Sequence, residues 1–114
     1  MIWIYHKPGC TTSVKVLRML QESGKKHKVI EYIKETPSRE ALQQLVDMLG
    51  IRPVELVRKK EKLFSERFSA REYSDQEWIQ ILHENPVLIQ RPILVRGKKA
   101  MIARPPESAV AFLK

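Results

Sequence analysis

At 114 residues, 43% of them hydrophobic, the chain is long enough for one folded core and too short for two, which excludes a disordered chain and a multidomain enzyme. Its single cysteine excludes an internal disulfide, and no stretch nears the ~18 apolar residues of a membrane-spanning helix. A net charge of +8, from 21 basic and 13 acidic residues, points to an anionic substrate or partner.

Met1-Ile2-Trp3-Ile4-Tyr5 carries no basic leader ahead of a long apolar run, so with a free cysteine the expected location is the reducing cytoplasm. Residues 2–6 read as a short buried strand, broken by Pro8-Gly9. A helix is expected over residues 11–23, with Val14, Val16, Leu17 and Leu20 as its apolar stripe and Gly24 at its C-cap. The β-branched run 29–33 predicts a second strand, parallel to the first through a right-handed crossover. Thr36-Pro37-Ser38 opens a second helix that places Leu42, Leu45, Val46 and Leu49 at helical spacing and ends at Gly50. Pro53 starts a third, short and basic helix carrying Val54, Leu56, Val57 and Arg58. Ser74-Asp75-Gln76-Glu77 is a capping box for a fourth helix with Trp78, Ile79, Ile81 and Leu82 on its apolar side. Residues 93–96 and 100–104 predict an antiparallel hairpin about Gly97-Lys98-Lys99, and Pro105-Pro106-Glu107 begins a last helix. The order βαβ, helical insertion, ββα describes one α/β domain over residues 1–114, with the mixed four-stranded sheet of the thioredoxin-like arrangement.

Cys10 falls between a strand end and a helix start. The first amides of a helix lack internal partners and the macrodipole adds positive charge there, so thiolate is favoured over thiol and the position suits a nucleophile. Lys7 and His6 stand close enough to assist. A dithiol oxidoreductase needs C-x-x-C, and the second position here is Ser13, so any disulfide of Cys10 must involve an outside thiol. His6, His27 and His83 show no metal-ligand spacing with the cysteine, and no metal is expected.

For Arg58, Arg91 and Arg104, surface charge and convergence on Cys10 both fit the spacing. The arginine fork suits a tetrahedral oxyanion better than lysine does. Lys25, Lys26 and Lys28, then Lys59, Lys60 and Lys62, then Lys98 and Lys99, form three separate clusters with no aromatic ladder among them. That pattern reads as solvated surface and argues against nucleic acid as a partner.

Several segments together resemble the glutaredoxin-linked arsenate reductase (ArsC) family, within the wider ArsC/Spx thioredoxin-fold superfamily, over essentially the whole chain. Ile4-Tyr5-His6-Lys7-Pro8-Gly9-Cys10 resembles the family's nucleophile motif, Glu35-Thr36-Pro37 its second-strand exit, and Leu56-Val57-Arg58-Lys59 the segment with its first functional arginine. Asn85-Pro86-Val87-Leu88-Ile89-Gln90-Arg91-Pro92-Ile93 resembles the segment with the second arginine and a cis-proline, and Ala103-Arg104-Pro105-Pro106-Glu107 the one with the third. The resemblance implies a monomeric enzyme with no bound cofactor that reduces arsenate through a covalent adduct on Cys10. His6 would favour the thiolate, Arg58, Arg91 and Arg104 would hold the oxyanion, glutathione would be the external reductant and glutaredoxin the protein partner. It departs from the family after the cysteine, where Thr11-Thr12-Ser13-Val14 replaces a glycine-containing stretch followed by Ser-Arg. Two alternatives stand beside it: an Spx-like regulator that binds RNA polymerase, and a glutathione-linked thiol reductase with another substrate.

Overall fold

β1 (Ile2–His6) is a central strand, and its period-two burial sends Ile2, Ile4 and His6 inward on one face. The chain turns at Gly9, whose φ of +85° is open to glycine, and enters α1 (Thr11–Glu22). It returns through β2 (His27–Glu31), parallel to β1 with Ile2 opposite His27. β3 (Ile93–Arg96) pairs antiparallel with β1, and β4 (Lys99–Ile102) antiparallel with β3, for a sheet order β2-β1-β3-β4. α5 (Ala109–Phe112) follows a single 3-10 turn.

In the computed structural model, which describes residues 1–114, these elements form one of two compact units, Met1–Glu35 with Arg91–Lys114. Its core joins Ile2, Ile4 and Leu94 from the sheet to Val16 and Leu20 from α1 and Leu113 beyond α5. Each fully buried aliphatic side chain there contributes about 1.5–3 kcal/mol. The fold class is therefore the expected mixed four-stranded α/β sheet of thioredoxin-like type.

The helical insertion is the second unit, Thr36–Gln90. α2 (Arg39–Leu49) is capped by Ser38, whose hydroxyl accepts the Ala41 N–H, and it ends on Gly50 at φ +67°. α4 (Asp75–Glu84) starts at the Ser74–Glu77 capping box and packs on α2. Between them lie a 3-10 turn, Pro53–Leu56, and the short α3 (Lys62–Arg67).

Four element expectations need correction. β2 lies two residues earlier than the β-branched run suggests, because the Ile2 N–H bonds the Lys26 carbonyl and pairing begins at His27. Tyr32 is buried beyond the strand end. The helix at Pro53 is a single 3-10 turn that stops before Arg58, since Val57 leaves it to bridge Ile89. α3 was not expected at all. β4 begins at Lys99 and ends at Ile102, so Arg104 lies past the strand instead of within it.

No helix is long and apolar enough to cross a membrane.

Candidate active site

Cys10 is the N-cap residue of α1, with extended backbone (φ −85°, ψ 117°), and its carbonyl accepts the Val14 N–H at 2.9 Å. The thiol is partly buried. Three polar residues of the chain are buried, His6, Ser13 and Arg91, and two of the three act directly on this sulfur. Burial raises the Cys10 pKa, but a hydrogen bond from the Ser13 backbone, hydrogen bonding and charge from Arg91, and a hydrogen bond from Arg104 outweigh it. The net result is a pKa lowered to about 7.

Arg91 precedes β3 and is only 4% exposed. The Arg91–Pro92 bond is cis, as the resemblance implies, and so is Arg104–Pro105. Arg104 Nη1 donates to the Arg91 carbonyl at 3.1 Å, which ties the two arginine-bearing segments together. Arg91 and Arg104 both favour the thiolate, and cationic donors beside a thiol can neutralise an anion brought up to the sulfur.

Ser13, which in the sequence reads only as the absent second cysteine, has a structural part in the site. One turn into α1, its Oγ accepts the Lys7 N–H at 3.2 Å and lies 2.6 Å from His6 Nδ1. With the ring proton on Nε2, Nδ1 accepts the Ser13 hydroxyl. Desolvation lowers the His6 pKa against the opposing pull of Glu31 and Ser13, so the ring is neutral at neutral pH. His6 is thus tied to the first turn of α1 through the Ser13 side chain. The signal available in the sequence was spacing: a hydroxyl three residues into the helix that Cys10 caps.

Arg58 belongs to the helical unit. Its backbone N–H bonds the Leu88 carbonyl, its Nε lies 3.3 Å from Glu61 Oε1, and its Nη1 is buried with no hydrogen-bond partner. A buried guanidinium nitrogen left open in this way is a donor that an anion would satisfy. Glu61 is a second residue the sequence did not single out; the i, i+3 offset from Arg58 was its only trace. His27 bonds the Lys25 carbonyl and His83 the Pro37 carbonyl, both structural roles.

The model of the ArsC family matches residues 5–112. The chain belongs to the ArsC family. Among relatives, the uncharacterized protein YfgD of Escherichia coli (strain K12) is 39% identical over 96% of this chain and 94% of its own length. An arsenate reductase of the same strain is 34% identical, covering 98% of this chain and 80% of the relative. Among solved structures, an arsenate reductase from Vibrio cholerae superposes with a TM-score of 0.89 at 36% identity, over 96% of this chain and 95% of that one. A putative arsenate reductase from Yersinia pestis gives 0.91 at 34% identity, over 97% and 99%. In this ArsC-family chain the cysteine and the arginines quoted above all fall within the matched residues.

Proposed function

We propose that the protein reduces arsenate to arsenite with thiols as the electron source. The observation that carries this reading is one thiol whose pKa is lowered to about 7, in part by Arg91 and Arg104, in a chain without a second thiol. The Cys10 thiolate attacks the arsenic of arsenate, a sulfur–arsenic bond forms, and an arsenate oxygen leaves as water after protonation. Like-charge repulsion opposes that approach, and Arg91 and Arg104 offset it by donating to the oxygens. A glutathione thiol then joins the adduct. Two electrons pass to arsenic as a Cys10–glutathione disulfide forms, arsenite leaves, and glutaredoxin reduces the disulfide. Arg58 enters from the family resemblance, supported by its open buried Nη1.

The test is arsenite production by the purified protein with glutathione and glutaredoxin supplied, against Cys10→Ser. Activity is expected only with Cys10 and only with both thiol components present. Turnover by Cys10→Ser above the enzyme-free control would overturn the reading, and turnover without glutathione would overturn the electron source. Within the same assay, Arg58→Lys, Arg91→Lys and Arg104→Lys keep the charge and lose the fork. Each is expected to cost roughly 1–3 kcal/mol of transition-state stabilisation, about ten- to a hundredfold in kcat/KM. A variant at wild-type kcat/KM removes its arginine from the oxyanion site.

A further inference from the structure

The sheet unit carries thirteen basic and four acidic residues, whereas the helical unit carries eight basic and nine acidic. All of the net positive charge therefore resides in the unit that holds Cys10, yet most of it lies at the other end of the sheet. Cys10 follows the C-terminal end of β1. At the N-terminal end, the strand register sets His27, Ile2, Arg96 and Lys99 in one row across all four strands. At about 4.8 Å per strand, that row is about 14 Å wide.

The fold adds to it two lysine clusters that are seventy residues apart in the chain. Lys25 and Lys26 lead into β2, and the Lys26 carbonyl is tied to the Ile2 N–H at 3.0 Å. Lys28 lies next along β2, its Nζ 5.1 Å from the Trp3 ring centroid. Lys98 sits in the β3–β4 turn, and Arg96 Nη1 donates to the backbone oxygens of Phe112 and Lys114, bringing the end of α5 to the same place. None of these seven cations is paired with an Asp or Glu side chain. Arg96 and Lys99 face each other directly as register partners, a like-charge juxtaposition that costs stability. A cleft of about 770 Å³ opens beside Arg96, Lys98, Lys99 and Lys114, with Met101 and Phe112 as its apolar wall. Two clusters that are separate in the sequence thus share one end of the sheet and form a cationic pole.

We propose that this pole binds the phosphodiester backbone of nucleic acid without sequence preference. Six of its seven cations are lysines, which are depleted at protein–protein interfaces but serve well as point charges against phosphate. Of its two nearby aromatics, Trp3 is covered by Lys28 and Phe112 packs against the core, so neither stands out from the surface as the kind of anchor that dominates protein docking. Because the pole and the thiol stand at opposite ends of β1, the surface is separate from the oxyanion site. With about four phosphates neutralised, affinity falls roughly a hundredfold between 50 and 200 mM salt.

The test is fluorescence anisotropy with a labelled 20-base-pair DNA duplex of arbitrary sequence. The full chain is expected to bind at 50 mM salt with that salt dependence. The variant Lys26→Glu/Lys28→Glu/Lys98→Glu/Lys99→Glu is expected to lose at least thirtyfold in affinity while alkylation of Cys10 is unchanged. A control with the same charge change in the helical unit, Lys59→Glu/Lys60→Glu/Lys62→Glu/Arg67→Glu, is expected to lose less than fivefold. Should charge reversal unfold the sheet, the four-glutamine variant at the same positions replaces it, with at least a tenfold loss expected. Equal losses in pole and control variants would overturn the proposal, as would no binding of the duplex at 50 mM salt. Tighter binding of polyglutamate or of phosphatidylserine vesicles than of the duplex would overturn it in favour of an acidic protein or a membrane surface.

Discussion

Cys10 and Ser13 share the first turn of α1, and that turn makes the thiol reactive in two ways. The Ser13 backbone N–H supports the sulfur, while the Ser13 side chain holds Lys7 and His6 in place ahead of it. A pKa of about 7 means that alkylation of Cys10 by iodoacetamide is half-maximal near neutral pH, against about 8.5 for a free cysteine. Because the folded value lies below the unfolded one, the thiolate's contribution to stability is present above the unfolded pKa and is lost as pH falls through about 7. Arg91→Lys and Arg104→Lys are expected to move the alkylation midpoint upward, toward the free value. A midpoint in Arg91→Lys equal to that of wild type would remove Arg91 from the sulfur. The lone-thiol chemistry was legible in the sequence because Cys10 sits after Pro8-Gly9 at a helix mouth. The supporting role of Ser13 was not, since hydrogen bonds within one turn depend on a rotamer that no spacing reveals.

At the scale of elements, caps were easier to read than pairing. Ser74 and Glu77 form both bonds of their box, Glu77 N–H to Ser74 Oγ at 3.2 Å and Ser74 N–H to Glu77 Oε1 at 2.9 Å, as the Ser-Asp-Gln-Glu pattern predicts. Ser74→Ala is therefore expected to destabilise the protein by about 1 kcal/mol, read as a lower urea midpoint with unchanged slope. An unchanged midpoint would show that the box contributes nothing. Strand ends obey a different rule. β2 begins where its register with β1 begins, and the β-branched composition that placed it at Val29 describes only its second half. Arg58 reads as helical for a similar reason: Pro53 does start a helical turn, but Val57 is drawn off into a bridge with Ile89 thirty-two residues away. α3 escaped notice because its six residues bury none of their number, so it has no apolar period to read.

For the whole molecule, the alternation of strands and helices was sufficient for the fold class, because few topologies accommodate βαβ followed by ββα. Charge was not legible in the same way. The chain's +8 is the sum of a strongly cationic sheet unit and a nearly neutral helical one, and only the strand register brings Arg96 beside Lys99. That pair gives the last prediction. Lys99→Glu replaces a like-charge pair with an opposite one at directly facing positions, where such exchanges are worth about 0.2–1 kcal/mol. For a domain of this size the gain corresponds to a rise in Tm of roughly 1–6 °C. The effect belongs to exposed charges, so it is expected in full near 10 mM salt and largely lost near 500 mM, where the Debye length falls well below 10 Å. Calorimetric melts at the two salt concentrations read both the sign and the screening. A Tm unchanged or lowered at 10 mM salt would mean that the hydrogen bonds of Arg96 to the backbone oxygens of Phe112 and Lys114 hold it away from Lys99, and that the cationic row carries no strain for a polyanion to relieve.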